Sequence, residues 1–309
     1  MGDGGREDGT ATIARAGRPL AGIACLIAGS FVLTLTDAAA KWLTARYPTG
    51  EIVSLRAAVV IVIMVVVVAA RRRLPMLRIH DLRGQVARGL LACASTMLYI
   101  AALGTLPLAD AIALAFVSPM FITALAGPML GEPVGWRRWS AVVVGFLGVL
   151  LVLRPGSTAF QAAALFTIAS SLCGAMRDVT TRRISRTETS LAILFMSNVA
   201  MLVGGMTSLV QGWVMPTLLD AAVLAGSAVL IGTGHYLHIE AFRLAEAAVV
   251  APFKYMSLLW ATLFGWLFFG HFPDHGVWAG ASVIIASGLY IAHRERRRAV
   301  ARLPAERRR

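Results

Sequence analysis

Apolar runs of about twenty residues recur down this chain, and a run of that length spans a hydrocarbon core of about 30 Å as an α-helix. Ten can be marked, at 20–43, 51–70, 86–104, 108–130, 137–153, 160–178, 189–210, 221–241, 247–270 and 276–292. Composition agrees, because 58% of the 309 residues are hydrophobic and 15% charged, with a mean hydropathy of +0.73. Those values exclude an ordinary soluble domain. Inside lipid every backbone N–H and C=O needs an internal partner, which leaves helices or a closed barrel. The runs are too long and too continuous for the alternating strands of a barrel. The expected fold is therefore an all-α integral membrane protein of ten transmembrane helices.

The first 18 residues, MGDGGREDGTATIARAGR, are polar and Gly-rich and read as a disordered tail, not as a cleavable signal. Cys25, Cys93 and Cys173 all fall within the runs, where they act as small core hydrophobes and imply neither a disulfide nor a metal site. The formal net charge of +13 raises nucleic acid as a partner, but the placement of the bases argues against it. With ten spans, 24 of the 29 Lys and Arg fall in the two terminal tails and the even-numbered loops. The positive-inside rule puts that side in the cytoplasm, with both termini. The C-terminal RERRRAVARLPAERRR then anchors the chain at an anionic leaflet.

The chain also repeats itself. GEPVGWRRW at 131–139 and GHFPDHGVW at 270–278 align with Gly131 and Gly270, and Trp139 and Trp278, each 139 residues apart. DAAAKW at 37–42 is echoed by DVTTRR at 178–183, at a spacing of 141. These echoes divide the chain into a tail at 1–18, a five-helix unit at 19–155, a second at 156–293, and a basic tail at 294–309. An odd number of helices per unit makes the second enter the membrane from the opposite face, an inverted repeat. The loops follow suit, with Arg137 and Arg138 in the first copy of the motif and Asp274 in the second.

The stretches LYIAALGTLPLADAIALAFVSPMFITALAGPMLGEPVGWRRWSAVVVGFLGVLLVLRPG and EAFRLAEAAVVAPFKYMSLLWATLFGWLFFGHFPD resemble the two EamA domains of the drug/metabolite transporter superfamily. The likeness covers about residues 20–292. Family features include a Pro near the start of the fourth and ninth helices, here Pro119 and Pro252, and a Gly-Glu pair closing each. Gly131-Glu132 keeps that pair, whereas the second half has Gly270-His271. The resemblance implies a carrier of small metabolites in the bacterial inner membrane, with a small-molecule substrate and the lipid bilayer as its partners.

An ionisable side chain within a spanning helix costs roughly 2.5–3.5 kcal/mol on insertion scales, so it is usually paired, interior-facing or functional. Asp37 and Lys41 lie one turn apart on one face of the first helix and can form an ion pair. Their alternatives are a structural pair, with Lys41 reaching for the interface, and a place in the translocation cavity. Asp178 and Arg182 read as an interfacial pair, and Arg56 as structural, with Glu51 or Asp37 as partner. Lys254 sits beside Pro252, whose missing N–H frees carbonyls and interrupts the helix as carriers do at binding sites. It reads as lining the cavity, with a pair to Glu240 as the alternative. His235 and His238 share a helix face; without a third ligand nearby they point to cavity polarity or proton coupling and not to a metal. The substrate-binding candidates are thus Lys254, Asp37, Lys41, His235, His238, Tyr255 and Tyr99. A coupled proton is open for Asp37, His235 and His238, and Pro119 and Pro252 mark helix breaks. Gly145, Gly148, Gly280 and Gly288 read as close helix contacts. Trp42, Trp136, Trp139, Trp213 and Trp278 read as interfacial belts.

No nucleotide-binding loop, repeated zinc spacing or nucleophile elbow is present, so neither ATP-driven pumping nor catalysis is expected, and no cofactor. The reading is a secondary transporter of a small polar organic metabolite, an amino acid or related compound, working by alternating access. Riboflavin or an adenosyl-type metabolite is the alternative cargo, and a non-transporting receptor or scaffold the alternative class. Direction, coupling ion and oligomeric state are open.

Overall fold

Each marked run is largely helical among the residues that the computed structural model describes, 19–72, 77–130, 136–153, 158–184, 187–244 and 250–306. In chain order these are α1 (Pro19–Thr44), α2 (Thr49–Ala70), α3 (Leu82–Thr105), α4 (Leu108–Ala115), α5 (Ser118–Leu130), α6 (Trp136–Leu153), α7 (Thr158–Ile184) and α8 (Ser190–Met206). A 3-10 turn (Thr207–Gln211) follows, then α9 (Leu218–Leu244), a second 3-10 turn (Ala251–Tyr255), α10 (Met256–Phe269) and α11 (His275–Glu306). No strand occurs among the described residues. Seven helical stretches are long and apolar enough to cross a membrane, and Trp139–Val152, Phe253–Phe269 and His275–Ile291 are shorter apolar helices at the remaining three runs. The first part of the basic tail is not loose chain, since α11 continues through it to Glu306.

Many large apolar side chains point outward, among them Val62, Val66, Leu150, Trp266 and Phe268. Such a surface suits lipid as its solvent. Inside, α1 packs most extensively on α9, α3 on α7, α2 on α8 and α6 on α11. The last pair crosses where side chains are missing. A Cβ on Gly280 would stand 2.6 Å from the Gly148 carbonyl oxygen, and one on Gly148 2.9 Å from that of Gly280. Cys25, Cys93 and Cys173 are free thiols.

The fourth run is interrupted. α4 ends at Ala115 and α5 starts at Ser118 with Pro119 in its first turn, where the missing N–H breaks no helical bond. In the described part of the ninth run, the 3-10 turn that contains Pro252 precedes α10. α10 closes on Gly270 at φ +67°, a left-handed position that suits glycine. Its expected counterpart, Gly131-Glu132, lies outside the described residues.

Two buried carboxylates clasp loops of the two chain halves. Where α1 ends, Asp220 is 1% exposed and accepts from Tyr47 Oη at 2.8 Å, Thr217 Oγ1 at 2.9 Å and Arg46 Nη1 at 3.2 Å. At the opposite end Glu188 accepts from His80 N at 2.6 Å, Asp81 N at 2.5 Å and Gln85 Nε2 at 3.0 Å. Burial pushes Glu188 up, but the hydrogen bonds outweigh it and hold the carboxyl below its ordinary value.

Candidate functional site

The two helix interruptions meet. Phe116, in the gap between α4 and α5, packs edge to face on Tyr255 at the end of the second 3-10 turn, with ring centroids 4.9 Å apart. The two residues are 139 apart in sequence, the spacing of the paired glycines and tryptophans. Gly288 of α11 makes room for this contact, because a Cβ there would stand 2.6 Å from Tyr255 Oη.

Lys254 lies one residue before that contact and its side chain is exposed. Its carbonyl accepts from Ser257 Oγ at 3.0 Å, but among the described residues its ammonium forms no ion pair or hydrogen bond, so a pair with Glu240 is not made. The charges that act on it are Asp178 and Arg177 of α7. Those two bond to each other, Arg177 Nη2 to Asp178 Oδ1 at 2.8 Å. Asp178 therefore has Arg177 as its described partner, and the side chain of Arg182 lies outside the described residues. Lys254 and Arg177 thus share the neighbourhood of one carboxylate, that of Asp178.

α9 brings two histidines to the same region. His238 is half-buried and its Nε2 is 3.3 Å from Ser30 Oγ of α1. Gly29 admits the imidazole, since a Cβ there would stand 2.6 Å from His238 Cδ2. His235, one turn earlier, is exposed, and the Lys254 ammonium is among the charges near His238. No group of three or more His, Cys, Asp or Glu able to hold a metal occurs among the described residues.

Asp37 and Lys41 do not form the ion pair that their spacing allows. Lys41 Nζ donates to the carbonyl oxygens of Leu103 and Leu106, each at 2.7 Å, and lies 5.3 Å from the centroid of the Phe269 ring. The last carbonyls of a helix lack intrahelical donors, so the end of α3 competes successfully for this cation. Asp37 instead accepts from Tyr99 Oη at 3.4 Å, and its ionic neighbour is Arg56 of α2. Glu51 accepts from Val214 N at 3.2 Å. Lys41 also borders a cavity of about 720 Å³ between α1, α9 and the end of α10, lined by Thr36, Thr44, Ser227, Phe269 and His271 among others.

The structure thus gathers Lys254, Tyr255, His235 and His238 at one level, and Asp37 with Tyr99 at another, with Lys41 beyond. Two partners were not singled out from sequence. Phe116 is betrayed only by its 139-residue spacing from Tyr255, and Ser30 by nothing but its place on the first helix.

The EamA-like transporter family model matches residues 20–154. The chain is 33% identical to the riboflavin transporter of Rhizobium johnstonii over 226 residues, 73% of this chain and 75% of that one. It is 28% identical to the S-adenosylmethionine uptake transporter of Rickettsia bellii over 217 residues, 69% and 73% of the two chains. A riboflavin transporter of Vibrio cholerae is 24% identical over 281 residues, 90% of this chain and 94% of that one. One crystal structure superposes with a TM-score of 0.60 at 17% identity, over 89% of this chain and 98% of the other, and so shares the fold. The chain belongs to the EamA family of the drug/metabolite transporter superfamily and is a multi-pass membrane protein.

Proposed function

We propose that this protein is a secondary transporter that carries a small polar organic metabolite through a site at the meeting point of its two interrupted helices. The contact of Phe116 with Tyr255, with the exposed Lys254 beside it, carries the reading. Interrupted helices expose backbone polar groups at a cavity, and a carrier binds its cargo where the two repeats face each other. Lys254 offers a cationic hydrogen-bond donor to an acceptor of the substrate, a carboxylate or a ring carbonyl. Phe116 and Tyr255 offer ring surface to an aromatic portion, and His235 and His238 add polarity and a route for a coupled proton.

The scaffold of the proposal is ten spans in two inverted five-helix units, 19–155 and 156–293, with both termini in the cytoplasm. The packing supports it. Exchanging the halves turns the α1 on α9 contact into the α7 on α3 contact, while α2 on α8 and α6 on α11 map onto themselves. Alternating access then follows from rocking of one unit against the other. The names of the relatives make riboflavin and S-adenosylmethionine the first cargoes to try, ahead of free amino acids. Both join a planar heteroaromatic ring to a polar chain.

The test is uptake into proteoliposomes holding the purified chain, with riboflavin, S-adenosylmethionine and a mixture of amino acids offered in turn. The expected result is saturable uptake of one of them, reduced by about tenfold or more in Lys254→Ala, the equivalent of about 1.4 kcal/mol of binding, with Lys254→Arg intermediate. Normal transport by Lys254→Ala would refute the central assignment.

A further inference from the structure

The cavity of about 720 Å³ that Lys41 borders takes no part in the site at Lys254 and Tyr255. Along α1 its wall runs from Leu35 to Ala45, about 15 Å of helix axis at 1.5 Å per residue. That is about half of a hydrocarbon core of about 30 Å, the depth of a single leaflet. α9 supplies a second wall through Gly226 and Leu230, and the end of α10 a third through Phe268 and Phe269. Trp42 and Phe268, both in the wall, are 40% and 54% exposed, so the cavity opens sideways, toward lipid.

The polar groups in these walls are largely spent. Thr36 Oγ1 donates to the Leu33 carbonyl at 2.7 Å, Thr44 Oγ1 to that of Lys41 at 2.6 Å and Ser227 Oγ to that of Leu224 at 2.9 Å. The Lys41 ammonium is held by the carbonyls of Leu103 and Leu106. A polar cargo would find little to bond here, whereas an apolar chain would restore the dispersion contacts that an unfilled wall forgoes.

A cation stands at the mouth. Arg46 follows the last wall residue of α1, its side chain is 53% exposed, and its guanidinium carbon lies 5.7 Å from the centroid of the Trp42 ring. Its Nη1 reaches Asp220 Oδ2 at 3.2 Å and Oδ1 at 3.4 Å, and among the described residues it makes no other hydrogen bond. Asp220 is buried, so an approaching ligand meets the guanidinium and its remaining donors. Such a fork matches the oxygens of a phosphate.

We propose that this cavity holds one acyl chain of a glycerophospholipid from the leaflet at the C-terminal end of α1, with the lipid phosphate on Arg46. The chain fills the length of one leaflet between α1 of the first half and α9 and α10 of the second. The site is separate from that of the cargo and does not depend on the carrier reading.

Gly226 supplies the test. It lines the cavity, and a Cβ there would meet no atom within 4 Å, so the ring of Gly226→Phe takes the space of the chain without displacing protein. Gly232, on the same helix, has equally open space and is not part of the wall. The full chain in detergent can be titrated with dioleoylphosphatidylglycerol and the bound lipid counted by native mass spectrometry. The wild type is expected to hold one lipid more tightly than any other. Gly226→Phe should weaken that lipid by about tenfold or more and Arg46→Gln by about threefold, while Gly232→Phe and Lys254→Ala stay within about twofold of the wild type. Wild-type binding by Gly226→Phe, or an equal loss in both glycine variants, would overturn the proposal. Wild-type binding by Arg46→Gln would overturn the placement of the phosphate. Displacement of the lipid by inorganic phosphate would make Arg46 a phosphate site without a chain, and would overturn it as well. Should Gly226→Phe not elute as a single species, Ala39→Leu narrows the cavity from α1 and carries the same expectation and the same refutation.

Discussion

Lys41 and Lys254 are the only lysines in the chain, and both fall within apolar runs. Lys41 is fully engaged, with two carbonyl acceptors and an aromatic face around its ammonium. Lys254 is exposed at the meeting point of two interrupted helices and has no such ring of acceptors among the described residues. A cation whose coordination is complete contributes to the fold, and one left open in the interior is available to cargo.

The largest effect that could break this contrast is on stability. Lys41→Met leaves the Leu103 and Leu106 carbonyls without their donor and is expected to lower stability by about 3 kcal/mol. Lys254→Met is expected to change it by less than about 1 kcal/mol, as open positions generally do. Thermal melts of the two variants in the same detergent check this, and equal losses would erase the distinction.

A smaller effect sharpens it from the side of the ring. Phe269→Leu keeps the apolar volume near Lys41 but removes the aromatic face, and is expected to cost about 1 kcal/mol. The double change with Lys41→Met should then cost less than the sum of the single ones, since the interaction is already gone.

The smallest concerns Glu188, a charge satisfied by hydrogen bonds outside the spans. Its folded carboxyl lies below the ordinary value of 4.5, so its contribution to stability is present above 4.5 and is lost as the pH falls through the lower, folded value. Wild-type melting temperature should therefore drop more steeply below pH 4.5 than that of Glu188→Gln. Parallel curves would show that the clasp contributes through geometry alone.

Much of the architecture was legible because its causes are local. The length of each apolar run requires a helix in lipid, and Pro119 and Pro252, which lack a backbone N–H, suit the first turn of a helix and not its interior. The glycines at 148, 280 and 288 also met close contacts of the kind expected for them. The Asp37 and Lys41 pairing failed for an equally definite reason. Residues one turn apart are near each other in any helix, but their head groups also meet whatever the fold brings beside them. Here Lys41 found acceptors 62 and 65 residues away, and Asp37 found Tyr99 and Arg56.

The sequence by itself determined that this chain is helical, that it belongs in a membrane, and where its helices are interrupted, since hydrophobic length and backbone chemistry act within each segment. Only the tertiary structure decided that Lys41 caps α3, that Phe116 meets Tyr255, and that Asp37 takes Tyr99 and not Lys41 as its hydrogen-bond partner. The satisfaction of a charge depends on acceptors from distant parts of the chain, and their positions exist only once the helices have packed.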